Sequence, residues 1–71
     1  MRKEFVELLF QEMEVNNDIY VITGDLGYGL FDKINITFPD RFFNVGSSEM
    51  AMMGMAVGLA MEGKIPFVYS I

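Results

Sequence analysis

The stretch Ile19-Tyr20-Val21-Ile22-Thr23-Gly24-Asp25-Leu26-Gly27-Tyr28-Gly29 passes from an unbroken run of β-branched and aromatic residues into a glycine-rich turn. Five such residues in a row, without polar alternation, predict a strand covered on both faces, as in a parallel sheet. Upstream, residues 3–14 predict an amphipathic helix. Phe5, Leu8, Leu9 and Met13 follow the spacing of one apolar face, and Glu4, Glu7, Gln11, Glu12 and Glu14 mark the wet side. Asn16-Asn17-Asp18 has turn composition and ends that helix. Downstream, Phe31 to Phe38 predicts a short helix closed by Pro39, and Arg41 to Val45 a second strand. Gly46-Ser47-Ser48 is a tight turn with Ser48 as helix N-cap. Glu49 to Glu62 predicts a helix apolar on almost every face, with Gly63 as its C-cap. Pro66 then opens a third strand that runs to Ile71. Strands alternating with helices predict an α/β fold, a three-layer αβα arrangement on a parallel sheet with right-handed crossovers.

Composition narrows the function. The chain has 71 residues, room for one domain, and 52 % of them are hydrophobic. It has no cysteine and no histidine, which excludes disulfides, thiolate or zinc-finger sites and any internal His-activated nucleophile. The net charge is −5, and the five basic residues, Arg2, Lys3, Lys33, Arg41 and Lys64, are scattered. Nucleic-acid binding is therefore not expected. The longest apolar stretch, Met50 to Met61, is 12 residues and contains Gly54 and Gly58. That is short of the about 20 residues a membrane span needs. No secretory leader pattern opens the chain, so the expectation is a cytoplasmic protein. A three-stranded parallel sheet leaves two open edges, and the helix from Glu49 needs apolar partners all round. The expectation is a fragment, cut at the third strand, or a subunit buried in a larger assembly.

Ligands of open parallel sheets bind beyond the carboxyl ends of the strands. Two loops in this sequence occupy that edge, 24–29 and 46–49. The glycines at 24, 27 and 29 stand at relative positions one, four and six, which is neither the dinucleotide fingerprint nor a phosphate-binding P-loop. On spacing alone they permit a tight turn that Asp25 caps. Glu49 has two readings on the residues alone. It is an acid favoured by the helix dipole in a first turn. It is equally a carboxyl desolvated at the mouth of an apolar helix and able to share a proton. Gly54 and Gly58, four apart among five methionines in 50–61, predict close packing against a core or a second subunit.

The run Asp40-Arg41-Phe42-Phe43-Asn44-Val45-Gly46-Ser47-Ser48-Glu49-Met50, continued by Gly58-Leu59-Ala60-Met61-Glu62-Gly63-Lys64-Ile65-Pro66-Phe67-Val68, resembles the transketolase-like pyrimidine-binding domain of thiamine diphosphate enzymes. Thr23-Gly24-Asp25-Leu26-Gly27 looks like that family's first strand and acidic loop. The resemblance implies that residues 1–71 form the first half of such a domain. It implies that Glu49 is catalytic, holding a hydrogen bond to the pyrimidine ring nitrogen so that the cofactor's own amino group can deprotonate the thiazolium carbon. Asp25, Gly46, Ser47, Ser48 and Glu49 are the implied cofactor-binding residues. No metal ligand is implied in this segment, since magnesium and the diphosphate would be held by a separate domain. The implied activity is a transketolase-like transfer of two-carbon ketol units between sugars. The implied partners are a second copy or a separate diphosphate-domain subunit, with a sugar phosphate or 2-oxo acid as substrate. A β-type subunit of a 2-oxo acid dehydrogenase or synthase, and a non-catalytic assembly remnant of the same fold, are the alternatives. A receiver-like domain with Asp25 as phosphoacceptor leaves residues 40–63 unexplained. The sequence departs from the family pattern at Ser47-Ser48-Glu49-Met50, where the family reads Ile-Ala-Glu-Gln. Met50 thus removes one polar contact.

Overall fold

A computed structural model describes residues 2–24 and 29–70. The elements are α1 (Arg2–Val15), β1 (Ile19–Thr23), α2 (Asp32–Thr37), a 3-10 turn (Pro39–Arg41), β2 (Phe42–Asn44), α3 (Glu49–Met61) and β3 (Ile65–Tyr69). The strands form one parallel sheet in the order β2-β1-β3, with β1 in the middle. The chain leaves β1 to one side for β2, then passes back across β1 to reach β3. Right-handed crossovers in opposite directions place their helices on opposite faces. The result is the expected three-layer α/β arrangement. Among the described residues no helix is long and apolar enough to cross a membrane.

The unbroken apolar run at Ile19–Thr23 is the covered central strand it predicts, with four of its five residues buried. Ile19 and Val21 join Val6, Leu9, Phe10 and Met13 of α1 and Phe31 and Ile34 around α2 in the main cluster. Aromatic rings tie that face together: Phe10 to Phe38 at 5.4 Å, Phe31 to Phe42 at 5.9 Å and Phe31 to Tyr69 at 5.3 Å. The opposite face carries Ile22, fully buried, and Met52 of α3. Tyr20 stacks on Phe43 there, with ring centres 6.2 Å apart. Thr23 is buried at the carboxyl end of β1, and its hydroxyl has no hydrogen-bond partner among the described residues.

Three expectations need correction. The buried face of α1 is Val6, Leu9, Phe10 and Met13, whereas Phe5 and Leu8 are exposed. Both sets obey a helical period, because the apolar stripe of α1 is wider than its contact. The sheet selects the part of that stripe it covers. The second strand is Phe42–Asn44 only, because Arg41 ends the 3-10 turn that Pro39 opens. Finally, α3 stops at Met61 with Glu62 as its cap residue, and Gly63 follows at φ +84°. Gly63 N–H donates to Ala60 O at 3.0 Å and Lys64 N–H to Leu59 O at 2.9 Å, which is the paired closure that a left-handed glycine after a helix allows.

α3 is exposed over most of its length. Met52 is its one buried residue, while Met50, Met53, Val57 and Met61 stand in solvent. Ile65, Phe67 and Val68 of β3 are also exposed. These are the faces that the sequence predicts to need partners. We expect residues 1–71 expressed alone to self-associate, as read by sedimentation velocity. A monomer with one sharp unfolding transition would contradict this.

Candidate functional site

The candidate site is the turn between β2 and α3, at the carboxyl edge of the sheet. Val45 N–H donates to Thr23 O at 3.0 Å, so the chain leaves β2 pinned to the end of β1. Gly46 then takes φ +70°, a left-handed conformation that favours glycine, and its N–H donates to Asn44 Oδ1 at 3.0 Å. The turn delivers Ser48 in an extended conformation as N-cap. Its Oγ accepts from Ala51 N–H at 3.1 Å, and its carbonyl accepts from Met52 N–H at 3.1 Å. Glu49 therefore occupies the first turn of α3, where the positive end of the helix dipole favours a carboxylate.

Glu49 lines a shallow cleft of about 250 Å³ with Met52, Met53, Val68 and Ser70. The cleft is a carboxylate beside apolar side chains at the ends of α3 and β3. Gly24 sits against the same turn. A Cβ at Gly24 would lie 2.9 Å from Gly46 O and 3.0 Å from Met52 Cε. The end of β1 thus approaches the Gly46 turn as closely as backbone permits.

Gly46, Ser47, Ser48 and Glu49, expected to bind the cofactor, stand together in one turn. Asp25, the remaining expected site residue, lies outside the described residues. The expectation of a desolvated Glu49 is corrected for this chain: its side chain is exposed. The reason is that α3 rests on the sheet through Met52, and the described residues place only the cleft lining beside the turn. Among the described residues no three His, Cys, Asp or Glu side chains gather to hold a metal ion. Met52, Met53, Val68 and Ser70 were not singled out by the sequence. In a helix apolar all round, periodicity does not tell which methionine seats against the sheet. The donor set fits one side of a heteroaromatic ring ligand, with an acid to meet a ring nitrogen and thioether and aliphatic groups to meet its faces.

Ser48→Ala should lower stability by about 1 kcal/mol, because Ala51 N–H loses its acceptor. Denaturant unfolding reads this, and Ser48→Asp should restore most of the loss.

Comparison with known proteins gives a consistent picture. The family described as transketolase, pyrimidine binding domain, matches residues 1–70. The "Putative transketolase C-terminal section" of Methanocaldococcus jannaschii is 40 % identical over 74 aligned positions, covering 99 % of this chain and 22 % of that protein. The 6-deoxy-6-sulfo-D-fructose transketolase subunit SqwH of a Clostridium species is 34 % identical, covering 99 % of this chain and 22 % of the subunit. A 1-deoxy-D-xylulose-5-phosphate synthase of Mycolicibacterium gilvum is 43 % identical, covering 90 % of this chain and 10 % of the enzyme. The chain spans about a fifth or less of the length of these relatives.

Proposed function

The chain belongs to the transketolase pyrimidine-binding domain family, and from that membership we propose that it supplies the pyrimidine side of a thiamine diphosphate site in a transketolase-like enzyme. The observation that carries the reading is Glu49, placed by its N-cap in the first turn of α3 and bordering the apolar cleft. Thiamine diphosphate, when bound, supplies a thiazolium carbon that becomes nucleophilic once deprotonated. The residues of this chain do the rest on their side of the ring. Glu49 holds a proton at the pyrimidine ring nitrogen. Met52, Met53 and Val68 exclude water from the ring face, and Gly46, Ser47 and Ser48 set the carboxyl's position. Asp25 is proposed as a cofactor-binding residue on the family pattern alone.

Glu49 is exposed in this chain, so the cover that keeps water from the carboxyl comes from elsewhere. We assign it to a diphosphate-binding domain, from the same chain, a second copy or a separate subunit, that closes over the turn and carries magnesium and the diphosphate. The exposed apolar face of α3 is the surface this assembly would cover. The reaction proposed is transfer of a two-carbon ketol unit between sugars, in line with the name of the sulfofructose transketolase subunit that the chain resembles. A second reading, a synthase of the kind that the 1-deoxy-D-xylulose-5-phosphate synthase is named for, is favoured by the similarity to that protein. Calorimetric titration of the assembled protein with thiamine diphosphate and magnesium tests the proposal. Saturable binding is expected. Absence of binding would leave the non-catalytic remnant of the same fold as the reading.

A further inference from the structure

We infer that Arg41 is a positioning residue for the Glu49 turn, acting by fixing the register of β2. Its guanidinium grips three backbone carbonyls: Nη2 donates to Met13 O at 3.0 Å, and Nη1 to Asn16 O at 2.9 Å and Ile19 O at 3.4 Å. The same group lies 4.3 Å over the Phe38 ring. Met13 is in the last turn of α1, which has no basic residue of its own there, so Arg41 also supplies the cation that a helix C-terminus favours. This one side chain joins the end of α1, the start of β1 and the start of β2.

β2 needs such a device. It is three residues long and, among the described residues, pairs on one side only, through Val21↔Phe42, Ile22↔Phe43 and Thr23↔Asn44. In most strands a one-residue slip inverts the faces and is rejected by the hydrophobic pattern. Here a slip in either direction still fills one of the two places with a phenylalanine, Phe43 for Phe42 or Phe42 for Phe43, so the pattern penalises it only at the other place, where Asn44 or Arg41 would enter. Phe42 packs on Phe31 on one face and Phe43 on Tyr20 on the other. Each residue of slip moves the chain about 3.3 Å along the strand. Only Val45 separates β2 from the Gly46–Glu49 turn, so a slip of β2 would displace the carboxylate. Arg41 fixes the amino end of β2, and the Val45–Thr23 hydrogen bond closes the other.

The inference rests on the proposed role of Glu49, so its test has a readout that needs no cofactor. Amide hydrogen exchange in the assembled protein is compared for wild type, Arg41→Ala, Arg41→Lys and the control Leu9→Ala, which empties a core position away from β2. Arg41→Ala should speed exchange at Val45 at least tenfold more than at Ile22, and weaken thiamine diphosphate binding at least tenfold. Leu9→Ala should speed exchange at both amides alike. Should Arg41→Ala fail to fold, Arg41→Lys carries the test, since one ammonium nitrogen replaces the two, Nη1 and Nη2, that divide the three carbonyls between them, and the same selective loss is expected. Unchanged Val45 protection in the Arg41 variants, or the same selective loss in Leu9→Ala, would overturn the inference. Selective loss with unchanged thiamine diphosphate affinity would overturn the link to the site. Selective loss in a protein that never binds thiamine diphosphate leaves the register role standing and removes the cofactor reading instead.

Discussion

Glu49→Ala in the assembled enzyme is expected to lower turnover by about 10²–10⁴-fold, the range typical of losing a positioned acid or base, and to leave folding and assembly intact. That loss corresponds to about 2.7–5.4 kcal/mol of barrier. The direction follows from placement. The carboxylate takes no part in the core, its side chain is exposed, and the helix start is capped by Ser48 rather than by Glu49. Removing it costs the fold only the dipole interaction, about 0.3–1 kcal/mol. An acid whose removal stops the reaction while leaving melting nearly unchanged acts on a ligand. Glu49→Gln should lose nearly as much as Glu49→Ala, since an amide keeps the shape but cannot take up and return a proton. Steady-state rates, together with sedimentation and thermal unfolding of each variant, read this outcome. A Glu49→Ala variant with more than a tenth of wild-type turnover would refute it.

Met52→Ala should cost about 2–5 kcal/mol, the range for truncating a buried methionine, and should release the amino end of α3 from the sheet. Met52 is the one buried residue of α3, ahead of the half-buried Met55, Ala56 and Leu59, and its Cε would stand 3.0 Å from a Cβ placed on Gly24, just past β1. It is therefore the peg by which α3, and Glu49 with it, sits on the sheet. The loss is structural first and functional second: circular dichroism should show early melting, and thiamine diphosphate affinity should fall in parallel. Met52→Leu keeps volume and apolarity and should cost less than about 1.5 kcal/mol. Met53→Ala, an equal truncation at an exposed neighbour, should change stability by a few tenths of a kcal/mol at most. Equal effects at Met52 and Met53 would contradict the peg.

The sheet was legible because its signals are local. Ile19–Thr23 is a β-branched and aromatic run without polar alternation, which suits a strand covered on both faces. Ser48 and Gly63 bracket α3 because a cap hydroxyl and a left-handed glycine answer backbone needs that any helix has. The faces were less legible. Phe5 and Leu8 match the helical period as well as Val6 and Phe10 do, and only the sheet's position chooses between them. Arg41 reads as a strand residue from sequence, yet its work is done across the fold on Met13, Asn16 and Ile19, 22 to 28 residues away. No local pattern carries a contact of that kind. At the site, the turn and its acid were legible. The environment of the acid was not, because desolvation depends on what covers Glu49, and in this chain its side chain stands exposed.

The most direct test of the cofactor role is the exchange of the thiazolium carbon's proton with deuterium, followed by NMR on thiamine diphosphate bound to the assembled protein. The wild-type protein should speed this exchange strongly over free thiamine diphosphate, and Glu49→Gln should bring it back by at least a hundredfold. Equal exchange in wild type and Glu49→Gln, with the cofactor bound in both, would contradict the assignment of this chain's chemistry to Glu49.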